Sequence, residues 1–86
     1  MSATILVVDD VETAREAIAD SLRKDGKEVL EAGTLKEARG FIEKNKADIC
    51  VLDILLPDGN GLSLLDEVVK MPWQPKFIVI TAHGQI

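Results

Sequence analysis

Short apolar runs alternate with amphipathic stretches along the 86 residues. "TILVVDD" (4 to 10) is β-branched and lacks polar alternation, as expected for a strand covered on both faces. "VETAREAIADSLRKDG" (11 to 26) carries Ala14, Ile18 and Leu22 at helical spacing. Glu12 lies in its first turn, Arg23 and Lys24 in its last, and Gly26 is its stop. Asp10 is placed to cap its amino end. "KEVLEAGT" (27 to 34) is half-polar and suits an edge strand. "TLKEARGFIEKN" (34 to 45) opens with Thr34 and Glu37 at capping-box spacing and presents Leu35, Ala38, Phe41 and Ile42 on one face. "ADICVLD" (47 to 53) predicts a second buried strand and "KFIVIT" (76 to 81) a fourth strand overall. "GLSLLDEVVKM" (61 to 71) between them predicts a third helix with Leu62, Leu65, Val68 and Val69 facing inward.

The order β-α-β-α-β-α-β, with connections too long for hairpins, predicts an α/β fold with an open parallel sheet. Ligands in such sheets bind beyond the carboxyl ends of the strands, where the strand order reverses. Asp9, Asp10, Asp53 and Thr81 all fall at such ends.

Length and charge narrow the function classes. Residues 1 to 86 make one small domain, which buries about 60 to 65 % of its unfolded surface. With few aromatics, Val, Ile, Leu and Ala must fill its core. A net charge of −5 without a long basic run argues against direct nucleic-acid binding. No apolar stretch approaches the ~18 residues that span a bilayer, and "MSATILVVDD" has no basic leader, so no membrane contact and a cytoplasmic location are expected. The single cysteine, Cys50, reads as a core thiol, His83 as a solvated loop residue, and Trp73 as a cover for the last helix-to-strand connection.

If the first and third strands are neighbours, Asp9, Asp10 and Asp53 converge at one edge. Three close carboxylates repel one another, and a hard divalent cation such as Mg²⁺ relieves the repulsion. Asp53, ending a rigid buried strand, is then placed to act as a nucleophile toward a phosphoryl group. Taken singly, Asp10 is explained by a helix cap and Asp53 by a polar strand end before a turn. The joint placement with Asp9 and Thr81 weighs against both bland explanations. Asp58 and Asn60 are read as turn residues without chemistry.

"ILVVDD", "VLDILLPDGNGL" and "FIVITAHG" resemble, in order and spacing, the three signature blocks of the receiver domain of bacterial two-component response regulators. The resemblance implies a flavodoxin-like fold with strand order 2-1-3-4. It implies Asp53 as phosphoacceptor, Asp10 as direct Mg²⁺ ligand with Asp9 supporting the metal site, and the backbone carbonyl of Leu55 as a further ligand. Pro57 and Gly61 match the turn after the acceptor. Thr81 matches the switch hydroxyl that contacts the phosphoryl group, and Ala82 the small neighbour that leaves room for it. The implied donor is a histidine kinase or phosphotransfer protein, and the implied role is that of a signalling module, not an enzyme. "LPDGNGL" and "TAHG" resemble receivers attached to promoter-activating ATPases, which implies an output in transcription. A metal-dependent phosphatase is disfavoured because Leu55 stands where a second acid is needed.

The resemblance covers (βα)3β, and the family's last helix-strand-helix, with the lysine that ends its fifth strand, has no counterpart in the 86 residues. Lys76 cannot substitute, since it begins the fourth strand at the opposite end of the sheet. A receiver of this extent is expected to expose its fourth-strand edge: either the chain is a fragment of a longer regulator, or it covers the edge by homodimerisation, by exchanging elements or by docking on a partner. The alternative function is accordingly a phosphorylation-independent interaction or dimerisation module.

Overall fold

The computed structural model describes residues 3–44 and 46–80. Strand β1 (Thr4–Val8) leads into helix α1 (Glu12–Lys24), and strand β2 (Glu28–Ala32) into helix α2 (Leu35–Glu43). Strand β3 (Ile49–Asp53) runs into a short hairpin of β4 (Leu55–Leu56) and β5 (Gly59–Asn60). Helix α3 (Gly61–Val68) starts directly after β5, and strand β6 (Lys76–Ile80) follows. Four strands form a parallel sheet in the order β2-β1-β3-β6, as the resemblance implied, with β6 as the fourth strand.

Chirality then assigns the faces. Parallel crossovers are right-handed, so α1, which carries the chain from β1 outward to β2, lies on one face. Helices α2 and α3, which carry it back across the sheet, lie on the other. Side chains alternate along β1, and Leu6 and Val8 join Cys50 and Leu52 of β3 on the α2/α3 face. They form one buried cluster with Leu35, Ala38 and Ile42 of α2 and Leu64 and Val68 of α3. Helix α1 packs on β1 and β2, burying Ala19 completely and Ala14, Ile18 and Leu22 in part. Ile78, on the α1 face of β6 beside Val51, is 53 % exposed. Burial of Cys50 pushes its thiol up to about 12, which leaves it an inert core residue.

The helix ends show where local signals held. Gly26, at φ +83°, closes α1 in a Schellman arrangement, its own amide donating to the Arg23 carbonyl and that of Lys27 to the Leu22 carbonyl. At α2 the Thr34 hydroxyl accepts from the Glu37 amide at 3.1 Å, while the Glu37 carboxylate accepts from the Gly33 amide at 2.8 Å. The reciprocal half of the capping box thus lands one residue early.

Two expectations are corrected. Asp10 does not cap α1: the N-cap position is Val11, which has no side-chain cap, and Asp10 is exposed. The helix opens one residue later than that cap requires, with Val11 extended at the N-cap, so Asp10 lies a residue outside it, while Asp9 accepts from the Val11 amide at 2.9 Å. In α3, Leu62 is 44 % and Val69 58 % exposed, whereas Leu64 and Val68 are buried. Asn60 caps the helix by accepting from the Leu62 amide, and the chain enters it at buried Gly61. That phase turns positions 61, 64, 65 and 68 inward, one helical face.

Gly61 tolerates no side chain. A Cβ there would lie 2.5 Å from the Asp53 carbonyl oxygen and 3.2 Å from Ile54 Cα, both backbone atoms. Gly61→Ala should therefore cost about 1–3 kcal/mol of stability, measured by urea unfolding.

Glu31 on β2 accepts from Arg15 at 3.0 Å and from Arg23 at 3.1 Å, and the Arg15 bond above all holds its carboxyl below the usual 4.5. A depressed folded value stabilises above the unfolded value and ceases to as pH falls through the folded one. Glu31→Gln should lower the melting temperature at pH 7, and the difference from wild type should shrink as the pH is taken below 4.5.

Candidate functional site

The site follows from strand register. Val8 pairs with Leu52, so one step further along the parallel strands Asp9 comes opposite Asp53. The Asp9 amide continues the ladder by donating to the Ala32 carbonyl at 3.0 Å. Each aspartate then ends its strand in the same way. Asp9 Oδ1 accepts from the amide two residues on, that of Val11, and Asp53 Oδ1 accepts from that of Leu55 at 3.2 Å. These Asx turns lift the chain out of the sheet and leave the carboxylates at its carboxyl edge.

Asp9, Asp10 and Asp53 each offer a carboxylate oxygen, and these atoms lie within 4.8 Å of one another. Asp9 is 1 % and Asp53 0 % exposed, whereas Asp10 is open to solvent. Burial above all holds the Asp9 carboxyl above its ordinary range. The charges of Asp53 and Asp10 push the same way, and the Val11 amide opposes them. Asp9 Oδ2 is buried without a hydrogen-bond donor among the described residues. An all-oxygen acidic set with an orphaned carboxylate oxygen fits a hard divalent cation of the Mg²⁺ type.

Of the remaining expected site residues, Leu55 lies at the start of β4, 59 % exposed, with its backbone amide against Asp53. Pro57 forms the hairpin turn, and Gly61 lets α3 pass close to Asp53. Thr81 and Ala82 lie outside the described residues, as does His83; Ile80, the last residue before them, pairs with Asp53 in the register. Lys76 sits at the far end of that strand, opposite Ile49.

Two contributors were missed from sequence. Arg15 donates through Nη1 to the Asp9 backbone carbonyl at 3.1 Å and through Nε to Glu31, tying α1, β1 and β2 together beneath the acidic edge. Asp58 accepts from the amides of Leu35 and Lys36 at 2.8 and 3.1 Å. Neither carries a spacing signal, because the partners lie on different elements that only the folded chain brings together.

The profile of the response regulator receiver domain matches residues 5–86. The chain belongs to that family. It is 36 % identical over 88 residues to the chemotaxis protein CheY of Thermotoga maritima, an alignment that covers 99 % of this chain and 72 % of that protein. It is 33 % identical over 81 residues to the response regulator protein PilR of Pseudomonas aeruginosa, covering 94 % of this chain and 18 % of PilR. The structure of the non-phosphorylated HemR receiver domain from Leptospira biflexa superposes with a TM-score of 0.86 at 35 % identity, covering 99 % of this chain and 68 % of that one. No helix of this receiver domain among its described residues is long and apolar enough to cross a membrane.

At neutral pH the ionised Asp9 is the form that burial disfavours, so its charge subtracts from stability. Asp9→Asn keeps an acceptor for Val11 and removes the charge. In cation-free buffer at pH 7 the variant should melt above wild type; a lower melting temperature would contradict this account of the site.

Proposed function

We propose that this chain is a phosphoacceptor module that receives a phosphoryl group on Asp53 from the phosphohistidine of a histidine kinase or phosphotransfer protein. The convergence of Asp9, Asp10 and Asp53 at the carboxyl edge of the sheet carries this reading, and membership of the receiver family supports it. Mg²⁺ would be held by Asp9, Asp10, Asp53 and the backbone carbonyl of Leu55. What a bound Mg²⁺ supplies is positive charge against the carboxylates and the phosphoryl oxygens.

The chain's own residues do the rest. A carboxylate oxygen of Asp53 attacks phosphorus, the P–N bond to the donor imidazole breaks, and the imidazole leaves with the bonding pair. An aspartyl phosphate remains. Rigid β3 and the Leu55 amide orient the nucleophile, so attack needs little reorganisation. Thr81 hydrogen-bonds the phosphoryl group and Ala82 leaves space for it. That new bond shifts the population of conformations at the end of β6. The module acts in the cytoplasm, without contacting nucleic acid or membrane itself, and its output is transcriptional.

A second reading, an interaction or dimerisation module that works without phosphorylation, is favoured by the exposure of Ile78 and Val79 on the outer strand β6. Light scattering at several concentrations tests the second reading, against which a purely monomeric chain would count.

Acetyl phosphate with Mg²⁺ should add one phosphoryl group to the wild-type chain, seen in the intact mass, and none to Asp53→Asn or to wild type in EDTA. A chain that stays unlabelled by acetyl phosphate and by a phosphorylated kinase overturns the proposal. Mg²⁺ should also raise the melting temperature, and EDTA should reverse the rise.

A further inference from the structure

We infer that Asp58 is a positioning residue for this phosphoryl transfer: it ties the hairpin that follows Asp53 to the amino end of α2. The inference rests on the acceptor role proposed above, and its structural half can be measured separately.

The amides that open a helix have no acceptor within it. In α2 that of Glu37 is taken by the Thr34 hydroxyl and that of Ala38 by the Thr34 carbonyl. Those of Leu35 and Lys36 are taken by Asp58, 23 and 22 residues away. A local cap already exists, so Asp58 adds something a local cap does not: it binds a second element to the helix. The tip of the hairpin is also seated on α2 sterically. Gly59 adopts φ +147°, and a Cβ there would lie 3.0 Å from Leu35 Cδ1. The Asp58 carboxyl is held below its usual range, first by the Leu35 amide, so it is ionised at neutral pH and its bonds are charge-assisted.

From the tip the connection to the acceptor is short. Leu56 pairs with Gly59 and Leu55 with Asn60. At the root the Leu55 amide donates to Asp53 Oδ1, and the Gly61 amide donates to the Ile54 carbonyl at 2.6 Å. A hairpin of two residue pairs is marginal in isolation. Its anchorage on α2 through Asp58 keeps the Leu55 backbone, amide and carbonyl alike, in register with the acceptor.

The test compares Asp58→Ala with Thr34→Ala, which loosens the same helix end without touching the hairpin. Labelling of Asp53 by acetyl phosphate in Mg²⁺, hydrogen exchange of the Leu55 amide and the melting temperature are read for each. Asp58→Ala should slow labelling by about tenfold, raise the Mg²⁺ needed for half-maximal labelling and speed Leu55 exchange. Thr34→Ala should lower the melting temperature while labelling within about twofold of wild type. Asp58→Asn, which keeps an acceptor for Leu35, should lie between wild type and Asp58→Ala, and serves in its place if the alanine variant does not fold. Equal slowing in Asp58→Ala and Thr34→Ala, or no slowing in Asp58→Ala, overturns the inference. Unchanged Leu55 exchange in Asp58→Ala overturns the tether whatever the labelling, whereas an unlabelled wild type overturns the acceptor role itself.

Discussion

Two carboxylates, those of Asp9 and Asp53, are buried side by side at the carboxyl edge of a parallel sheet, and most of the surrounding architecture is answerable to that juxtaposition. Burying one ionised group without compensation is costly, and burying two of the same sign is worse. The register of β1 against β3 imposes the proximity, and a one-residue slip of that register would turn Cys50 and Leu52 away from the core they share with Leu6 and Val8 under α2 and α3. Hydrophobic packing on one face therefore holds the acids together against their repulsion. The cost is accepted at one edge of the molecule, which is also where cation chemistry becomes favourable.

Around that edge the chain uses backbone groups more than side chains. Two Asx turns hold one oxygen each of Asp9 and Asp53, and Arg15 clamps the Asp9 carbonyl without pairing with the acidic cluster in the bonds that fix it. Gly61 allows α3 to start against the Asp53 carbonyl, so the helix that covers the core also closes the loop after the acceptor. The hairpin between them is pinned at its tip by Asp58, a side chain fully committed to α2 amides. These contacts orient the acceptor while leaving Asp10 in solvent, where an incoming group can approach.

Much of this was legible beforehand. Elements with unambiguous periodicity, the apolar β1 and β3 and the amphipathic α1 and α2, appear where their patterns place them, trimmed by a residue or two at the ends. Helix α3 was found but rotated wrongly. "GLSLLDEVV" is apolar at 62, 64, 65, 68 and 69, which offers two overlapping inward faces, and only the entry through Gly61 selects between them. The Asp10 cap failed for a related reason: the entry to α1 sets the N-cap at Val11, one residue beyond Asp10, and the Asx turn there is made by Asp9.

Sequence alone determined the alternation of strand and helix, the acids at strand ends and the resemblance to receivers, because each depends on local periodicity, local turn chemistry or short contiguous blocks. Tertiary structure decided which acids meet, how deeply they are buried, and that Asp58, Arg15 and Gly61 support them. Those properties depend on pairs brought together across the sheet or, for Arg15 and Gly61, on how a helix start folds back against the strand end six or eight residues before it, and hydrophobic periodicity encodes neither. The sheet register sets their distances, and the register is fixed only when the whole core packs.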